Sequence, residues 1–337
     1  MGVYDPNAPA ITKPTKLASP VMVGGDKVWE EPYNRVQMYG SVLPPINGRW
    51  RMYYIYQYGY SVVNGPLVNA AYAEAANPAG PWTKPNIKTY NGLCGNAIIG
   101  DQPGLGVYYD HYVGMYRGAG GFTFGESVNG AEWPVLNIFP AGPKNDTSVS
   151  LIRHQPLSPN SGNPFIATVR EQGTWANGTL RRAAYMDSGD FNAWSQKQVF
   201  TQLDAPDGWD QPYASQLTSY GDKLLNLQWW LHLDNIPGNN NIGVIDAELM
   251  YLTVPPGARY LSECGPWTRT YQPFLSAGAA GAMDAGGVQP APIVIHDGTV
   301  YVFYTAWKQK HGITIQPNDL TIGLATMPQA EFDSILS

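Results

Sequence analysis

Asp187-Ser-Gly-Asp-Phe-Asn-Ala-Trp194 is one of four segments in which a turn rich in Gly, Asp or Pro leads into a tryptophan. The other three are Asn77-Pro-Ala-Gly-Pro-Trp82, Val128-Asn-Gly-Ala-Glu-Trp133 and Glu263-Cys-Gly-Pro-Trp267. Successive tryptophans are roughly 50 to 75 residues apart, and a repeat of this length indicates a supersecondary unit that buries its apolar face only by stacking on a neighbour. We therefore expect a fold of repeated units in which these four tryptophans pack as scaffold.

Most repeats also contain the signal of a β-hairpin. In residues 292–306, two apolar and β-branched runs flank Asp297-Gly298, a pair that suits a tight turn because glycine accepts a positive φ. The same arrangement surrounds Asn47-Gly48, Gly221-Asp222 and a longer loop that contains Gly162-Asn163. A third strand is predicted after the hairpins, at residues 69–74, 181–186, 247–253 and 321–326, and a short fourth strand follows each tryptophan segment.

These units predict an all-β protein, a single five-bladed β-propeller of four-stranded antiparallel blades. The predicted blades lie at about residues 30–90, 94–140, 145–202, 208–275 and 284–326. Because a ring needs closure and the last blade lacks a tryptophan segment, we expect residues 18–23 to supply its outer strand. The propeller then comprises residues 18–337, with an extended N-terminal arm at residues 1–17 and a short helix at residues 329–336.

Composition excludes several classes of function. The formal net charge of the 337 residues is −6 and the basic residues are scattered, so nucleic acid is not an expected partner. Met1-Gly-Val-Tyr-Asp-Pro6 has neither the charged region nor the apolar core of a signal peptide, so no secretory signal is expected. No membrane span is expected either, because no apolar run approaches the roughly 20 residues that a span requires. Cys94 and Cys264 have no metal-type spacing and are expected to be buried free thiols, with a disulfide as the alternative. No metal or other cofactor is predicted, and the compartment stays undetermined.

Acidic residues precede the first predicted strand of most blades, at Glu30-Glu31, Asp146, Asp210 and Asp284. The first strand of a propeller blade lines the central channel, so these acids should meet at one mouth of the channel. Cleavage of a glycosidic bond requires such a set, because one carboxyl must be protonated and another ionised. Crowding of carboxylates raises the pKa of one above that of the other. The alternative is that these acids cap turns or bind a structural cation in the channel.

Several segments occur in an order that resembles a known group of proteins. They include Gly48-Arg-Trp-Arg-Met-Tyr-Tyr54, Gly80-Pro-Trp-Thr-Lys-Pro85, Ser188-Gly-Asp-Phe-Asn-Ala-Trp194 and Ile322-Gly-Leu-Ala-Thr326. In these segments the chain resembles the five-bladed glycosyl hydrolase superfamily, which includes glycosidase families 32, 43, 68 and 117, and it is most similar to uncharacterised family-32-like bacterial proteins. The resemblance covers nearly the whole chain, and because the segments are scaffold motifs it implies the fold more strongly than the chemistry.

The resemblance implies carboxylate catalysis, with Glu31 as nucleophile or base and with Asp146 and Asp210 as acid or pKa-modulating partner. Glu171 and Asp284 are reserve candidates. The Asn-Asp-Pro-Asn, Arg-Asp-Pro and Glu-Cys motifs of family 32 are not intact at the corresponding places. Trp29-Glu30-Glu31-Pro32 stands where the first motif is expected, and the second blade offers only Asp101 or Asp110, neither preceded by Arg. Glu263-Cys264 matches two letters but lies beside a tryptophan segment, so we interpret it as a coincidence.

Carbohydrate is therefore the expected partner, with no nucleic acid and no membrane span. Candidates for hydrogen bonds to sugar hydroxyls, or alternatively satisfied interior polar residues, are Arg153, His154 and His232. Candidates for stacking on a sugar ring are Trp29, Tyr39, Tyr213 and Trp230, with core packing as the equal alternative for Trp230.

The rival function is a non-catalytic glycan-binding or structural component of a virion or cell surface, for which a homo-oligomer or a virion assembly is expected. The charge-poor composition, rich in Asn, Trp and Tyr, is typical of such extracellular or virion-associated proteins.

Overall fold

The structure, a computed structural model, describes most of the chain. The described residues are 4–61, 65–85, 94–99, 112–118, 121–127, 150–154, 157, 164–175, 178–189, 193–196, 198–199, 210–234 and 242–337. Within them the chain is nearly all-β, with strands β1 to β20 and a single α-helix, α1. No helix in this part of the chain is long and apolar enough to cross a membrane.

The strands form several sheets whose neighbours are almost all antiparallel. β1 is Thr15–Lys16, and the next sheet contains β2 Val36–Gln37, β3 Val42–Ile46, β4 Arg49–Ser61 and β5 Gly65–Ala75. Two further sheets contain β6 Cys94–Ile99, β7 Tyr112–Gly118 and β8 Gly121–Ser127, and then β9 Leu151–Arg153, β10 Phe165–Trp175, β11 Gly178–Ser188 and β12 Gln198–Val199. The last sheet contains β1 together with β13 Asp210–Tyr220, β14 Lys223–Leu233, β15 Gly243–Thr253, β16 Thr268–Leu275, β17 Gly287–Pro290, β18 Val294–His296, β19 Thr299–Trp307 and β20 Leu320–Pro328, and α1 Gln329–Ile335 follows.

Three predicted hairpin turns are confirmed, at Asn47-Gly48, Gly221-Asp222 and Asp297-Gly298, and their backbone explains the residues that occupy them. Gly162-Asn163 of the fourth predicted hairpin lies outside the described residues. Asn47 and Gly48 join β3 to β4 with φ values of 52° and 75°. Asp297 and Gly298 join β18 to β19 with φ values of 46° and 69°. Two successive positive φ values match the right-handed twist of the flanking strands, and Gly adopts them at no steric cost, Asn and Asp at little.

The N-terminal part of the chain supplies the strand next to β20. Thr15 of β1 pairs with Thr326, and Met22 forms a bridge with Ile322. The pairing of the chain start with the last strand was predicted, but it begins at Thr15, within the segment expected to be an extended arm. We call residues 4–14, which precede β1, the N-terminal arm.

Apolar clusters join different sheets, and one of them also links distant strands of the last sheet. One cluster packs Ile166 and Tyr185 of the β9–β12 sheet against Leu217 of β13. A larger one packs β14 and β15 against β17 and β19, and a third packs β4 of the first sheet against Phe303 of β19. Trp82 and Trp267 pack against the margins of these clusters, as the scaffold prediction requires, whereas Trp133 lies outside the described residues.

Candidate functional site

A histidine held between two carboxylates occupies one end of the sheet formed by β13, β14 and β15. His232 Nδ1 lies 2.6 Å from Asp210 Oδ1, and His232 Nε2 lies 2.9 Å from Asp246 Oδ1. The strand register produces this contact, because Asp210 is the direct partner of His232 and Asp246 is the direct partner of Trp230. Trp230 and His232 are two residues apart, so their side chains project from the same face of the sheet.

The electrostatics of this cluster favour a charged imidazole. Burial by itself lowers the pKa of His232, but the hydrogen bonds and charges of Asp210 and Asp246 outweigh it and raise the pKa to about 10. His232 is therefore an imidazolium at neutral pH, and both of its N–H groups donate to carboxylates. Two predicted candidates, Asp210 and His232, are thus in direct contact.

Tyr4 of the N-terminal arm adds a fourth member to the cluster. Its hydroxyl donates a 2.5 Å hydrogen bond to Asp246 Oδ1, and its ring centroid lies 5.7 Å from that of His232. The arm is held nearby, since the Asp5 backbone N–H donates to the Tyr271 carbonyl at 3.2 Å. Burial and the charge of Asp246 raise the pKa of Tyr4 well above its usual value, which keeps the phenol neutral and able to donate.

Sequence reasoning missed both Asp246 and Tyr4. A usable signal existed for Asp246, which immediately precedes the predicted strand at residues 247–253. Tyr4 is 242 residues from its partner and has no such signal, because only the folded chain brings the arm to β15.

A second buried ion pair lies farther along the same face of β15. Glu248 is fully buried and accepts hydrogen bonds from Arg269 Nη2 at 2.6 Å, from Trp230 Nε1 at 3.0 Å and from the Tyr271 backbone N–H at 2.8 Å. Trp230 is also fully buried, and the Arg269 guanidinium lies 5.1 Å from its ring centroid. Trp230 therefore packs in the interior and exposes no face on which a sugar ring could stack, which corrects that prediction.

Two of the aromatic candidates pack on Trp229, whose side chain projects from the face of β14 opposite to that of Trp230 and His232. The Tyr213 ring stacks on Trp229 at 6.3 Å between centroids, and the Tyr39 ring lies 5.8 Å from the same Trp229. The Tyr213 hydroxyl is 3.0 Å from Nε2 of His311, a residue on the β19–β20 loop that sequence reasoning missed. Tyr39 and Tyr213 are 9% and 6% exposed, so each offers only an edge to a ligand.

The two glutamates before β2 have opposite environments. Glu30 is fully buried, and both of its carboxylate oxygens lie 2.9 Å from Lys84 Nζ, while the Tyr54 hydroxyl donates to it at 3.1 Å. Burial raises the pKa of Glu30, and the ammonium of Lys84 opposes that shift. Glu31 is exposed to solvent and the neighbouring Trp29 is half-buried. Glu31 is thus the member of the pair that a ligand can reach.

Of the other predicted acids, Asp284 is the one whose side chain is described. It is buried, lies 2.5 Å from Lys16 Nζ, and accepts a 3.3 Å hydrogen bond from the Tyr304 hydroxyl. This ion pair ties β1 to the turn before β17, which favours the structural reading of Asp284. Three other acids named above lie outside the described residues: Asp101, Asp110 and Asp146. Glu171 lies in β10, but its side chain is outside the described part of the structure.

Arg153 and His154 are not brought to the Asp210 end of the sheet. The buried His154 ring places Nδ1 2.8 Å from the Ser219 hydroxyl, near the other end of β13. At about 3.3 Å per residue, Ser219 and Asp210 are separated by about 30 Å along the strand. Burial lowers the pKa of His154 to about 4, so its imidazole is neutral at physiological pH. Arg153, also buried, adjoins His154 in the chain.

Two carboxylates, an imidazole and a phenol from β13, β14, β15 and the N-terminal arm therefore meet at one end of the sheet. Among the residues that the structure describes, no group of His, Cys, Asp and Glu side chains is arranged to hold a metal ion. What this end offers chemically is a carboxylate, Asp210, whose negative charge is matched by an adjacent imidazolium.

The architecture is similar to that of several solved carbohydrate-active enzymes. An alpha-L-arabinofuranosidase from Podospora anserina matches with a TM-score of 0.62 at 12% identity, over 96% of this chain and 99% of that one. The beta-1,2-mannobiose phosphorylase from Listeria innocua matches with a TM-score of 0.61 at 11% identity, over 96% and 99% of the two chains. An N-acetylgalactosamine deacetylase from F. plautii matches with a TM-score of 0.54 at 16% identity, over 97% of each.

These similarities concern the fold. The neighbours include propeller-fold glycoside hydrolases, so the resemblance to that superfamily is confirmed at the level of fold, while the family 32-like features stay a prediction. No protein-family model matches the sequence, and no curated protein sequence matches it.

Proposed function

We propose that the chain is a glycan-active five-bladed propeller whose ring is closed by residues 15–22 beside β20. The packing of the β9–β12 sheet against β13 supports this proposal, and so does the cluster in which β4 of the first sheet meets β19 near the end of the chain. Blades near residues 30–90, 94–140, 145–202, 208–275 and 284–326 account for the order of the strands. In such a ring the starts of the innermost strands surround one mouth of a central channel, where carbohydrate would bind.

The proposed reaction is hydrolysis of a glycosidic bond. In this chemistry one carboxylic acid protonates the leaving oxygen, while a carboxylate activates water or attacks the anomeric carbon. The observation that carries the proposal is the contact of Asp210 with His232 at the start of β13. An adjacent cation favours the ionised form of a carboxyl, so Asp210 suits the role of base, nucleophile or pKa-modulating partner. Glu31, which is exposed, and Asp146 are the proposed partners of Asp210.

A second candidate function is glycan binding without catalysis. It is favoured by the buried acids Glu30, Glu248 and Asp284, each of which is committed to an ion pair with Lys or Arg. A carboxylate that is already paired in the interior stabilises the fold and is not available for proton transfer. In this function the polar cluster around His232, or the edges of Tyr39 and Tyr213 on the other face of the sheet, would recognise the sugar.

A screen of aryl furanosides and pyranosides, combined with glycan-array binding, separates the two functions. The hydrolase predicts release of the aryl group by the wild type, loss of that release in Asp210→Asn, and retained glycan binding by the variant. The matched control is Asp222→Asn, because Asp222 is exposed in the turn at the opposite end of the same β13–β14 hairpin. Binding without turnover by the wild type would establish the second function instead.

A further inference from the structure

We propose that Asp246 is a positioning residue for Asp210 and acts through His232. The inference rests on the proposed function for the role of Asp210, and it assigns a task to a residue that sequence reasoning missed. The contacts form a chain from Asp246 to the His232 ring and from the other nitrogen of that ring to Asp210.

The geometry fixes the orientation of the His232 ring. Contacts at Nδ1 of 2.6 Å and at Nε2 of 2.9 Å use both nitrogens, so a rotation of the ring would break two charge-assisted hydrogen bonds at once. Asp246 is itself held, since the Tyr4 hydroxyl donates to the same Oδ1 that faces His232. The cation is therefore placed against Asp210 by a residue on a different strand, with a neutral phenol behind it.

Two carboxylates and one neutral phenol contact His232 from three directions. Asp210 faces it from β13, Asp246 from β15, and Tyr4 from the N-terminal arm. The next charged groups on this face are Glu248 and Arg269, which pair with each other at 2.6 Å. The described surroundings of His232 are thus anionic, and among the described residues removal of the Asp246 charge leaves one carboxylate, Asp210, in contact with the imidazolium.

Titration of the histidine Cε1–H signals by NMR tests the link without requiring any substrate. The signal of His232, assigned by its loss in His232→Gln, should titrate at about 10 in the wild type. In Asp246→Asn the midpoint should fall by at least about one pH unit, because one of two anionic partners is gone. Asp246→Glu should retain most of the wild-type value, and the control Asp222→Asn should retain all of it. An unchanged midpoint in Asp246→Asn would overturn the proposal.

The pH profile of kcat/KM on the glycan identified by the screen tests the consequence for Asp210. The alkaline limb of Asp246→Asn should move to lower pH by the same interval as the His232 midpoint, whereas Asp246→Glu should restore the limb. A profile that does not move while the His232 midpoint does would contradict the positioning role. Absence of turnover by the wild type would contradict the proposed hydrolase instead. A lower His232 midpoint in Asp246→Asn would then still support the hydrogen bond between Asp246 and His232.

Discussion

Lys84 Nζ lies 2.9 Å from both carboxylate oxygens of Glu30, and neither side chain has appreciable contact with solvent. The two residues are 54 positions apart and meet where the segment before β2 packs against the segment after β5. A buried charge without a counter-charge is strongly destabilising, so Glu30 depends on Lys84, which also pairs with the exposed Asp26. The pair places Glu30 in the scaffold and leaves the adjacent Glu31 for contact with a ligand.

Replacement of Lys84 should therefore cost far more than replacement of an exposed cation. We expect Lys84→Met to lower the free energy of unfolding by about 3–5 kcal/mol, because Glu30 then remains buried without a counter-charge. Arg49→Met is the control, since Arg49 is 46% exposed and its ion pair with Glu74 should contribute no more than about 1 kcal/mol. Urea unfolding at pH 7 measures both. Equal losses for the two variants would show that Glu30 does not rely on Lys84.

His154 should make the protein sensitive to acid. Its pKa is about 4 in the folded state and ordinarily 6.5, so the unfolded chain binds a proton first as pH falls. The stability contributed by the neutral, buried imidazole is complete above pH 6.5 and is lost between pH 6.5 and 4, by about 1 kcal/mol at pH 5.5 and about 2–3 kcal/mol at pH 4.5. Urea unfolding at several pH values should show this slope in the wild type.

The slope should be missing from His154→Asn, whose amide can still reach Ser219. His296→Asn is the matched control, because the His296 side chain is 33% exposed in the β18–β19 hairpin. A wild-type slope that survives in His154→Asn would assign the acid sensitivity to another group.

Gly243 is required where β15 passes the His232 carbonyl. A Cβ at this position would lie 2.1 Å from the backbone oxygen of His232, so Gly243→Ala must displace one of the two strands. We expect a loss of at least about 2 kcal/mol in unfolding free energy and a displaced His232 NMR signal. Gly265→Ala, where a Cβ meets nothing within 4 Å, should change neither. An unaltered His232 signal in Gly243→Ala would contradict the close approach.

Removal of the strand beside β20 tests the proposed closure of the ring. A chain that lacks residues 1–22 loses β1, the Met22 bridge and the Lys16 partner of the buried Asp284. It also exposes a strand edge that can pair with other chains. We expect a lower melting temperature and aggregation, measured by scanning calorimetry and size-exclusion chromatography. A chain that lacks only residues 1–12 retains β1 and serves as the control. Equal melting temperatures for the two shortened chains would contradict closure of the ring by residues 15–22.

The hairpins were predictable from sequence because their information is local. Gly221-Asp222 lies between β13 and β14 as predicted, since a turn is specified by the two residues within it and by the runs beside it. The periodic tryptophan segments were informative for a similar reason, as Trp82 and Trp267 pack where one repeat meets another.

The environment of each acid was not predictable, because it depends on partners from distant parts of the chain. Glu30 and Glu31 are adjacent in sequence, yet Glu30 is buried against Lys84 and Glu31 is exposed to solvent. Asp284 looked equivalent to Asp210 by position, but Lys16, 268 residues away, pairs with it. A pattern of acids before strands therefore indicates where carboxylates lie, and it does not indicate which of them are neutralised by a buried cation.

The central claim is that Asp210 takes part in glycoside cleavage, and the most direct measurement is kcat/KM on the best aryl glycoside for wild type, Asp210→Asn and Asp222→Asn. Substitution by Asn keeps the shape of the side chain and removes its charge. We expect Asp210→Asn to lose at least about 100-fold in kcat/KM, which is the usual scale for a catalytic carboxyl, and Asp222→Asn to match the wild type. Activity of Asp210→Asn within about twofold of the wild type would contradict the claim.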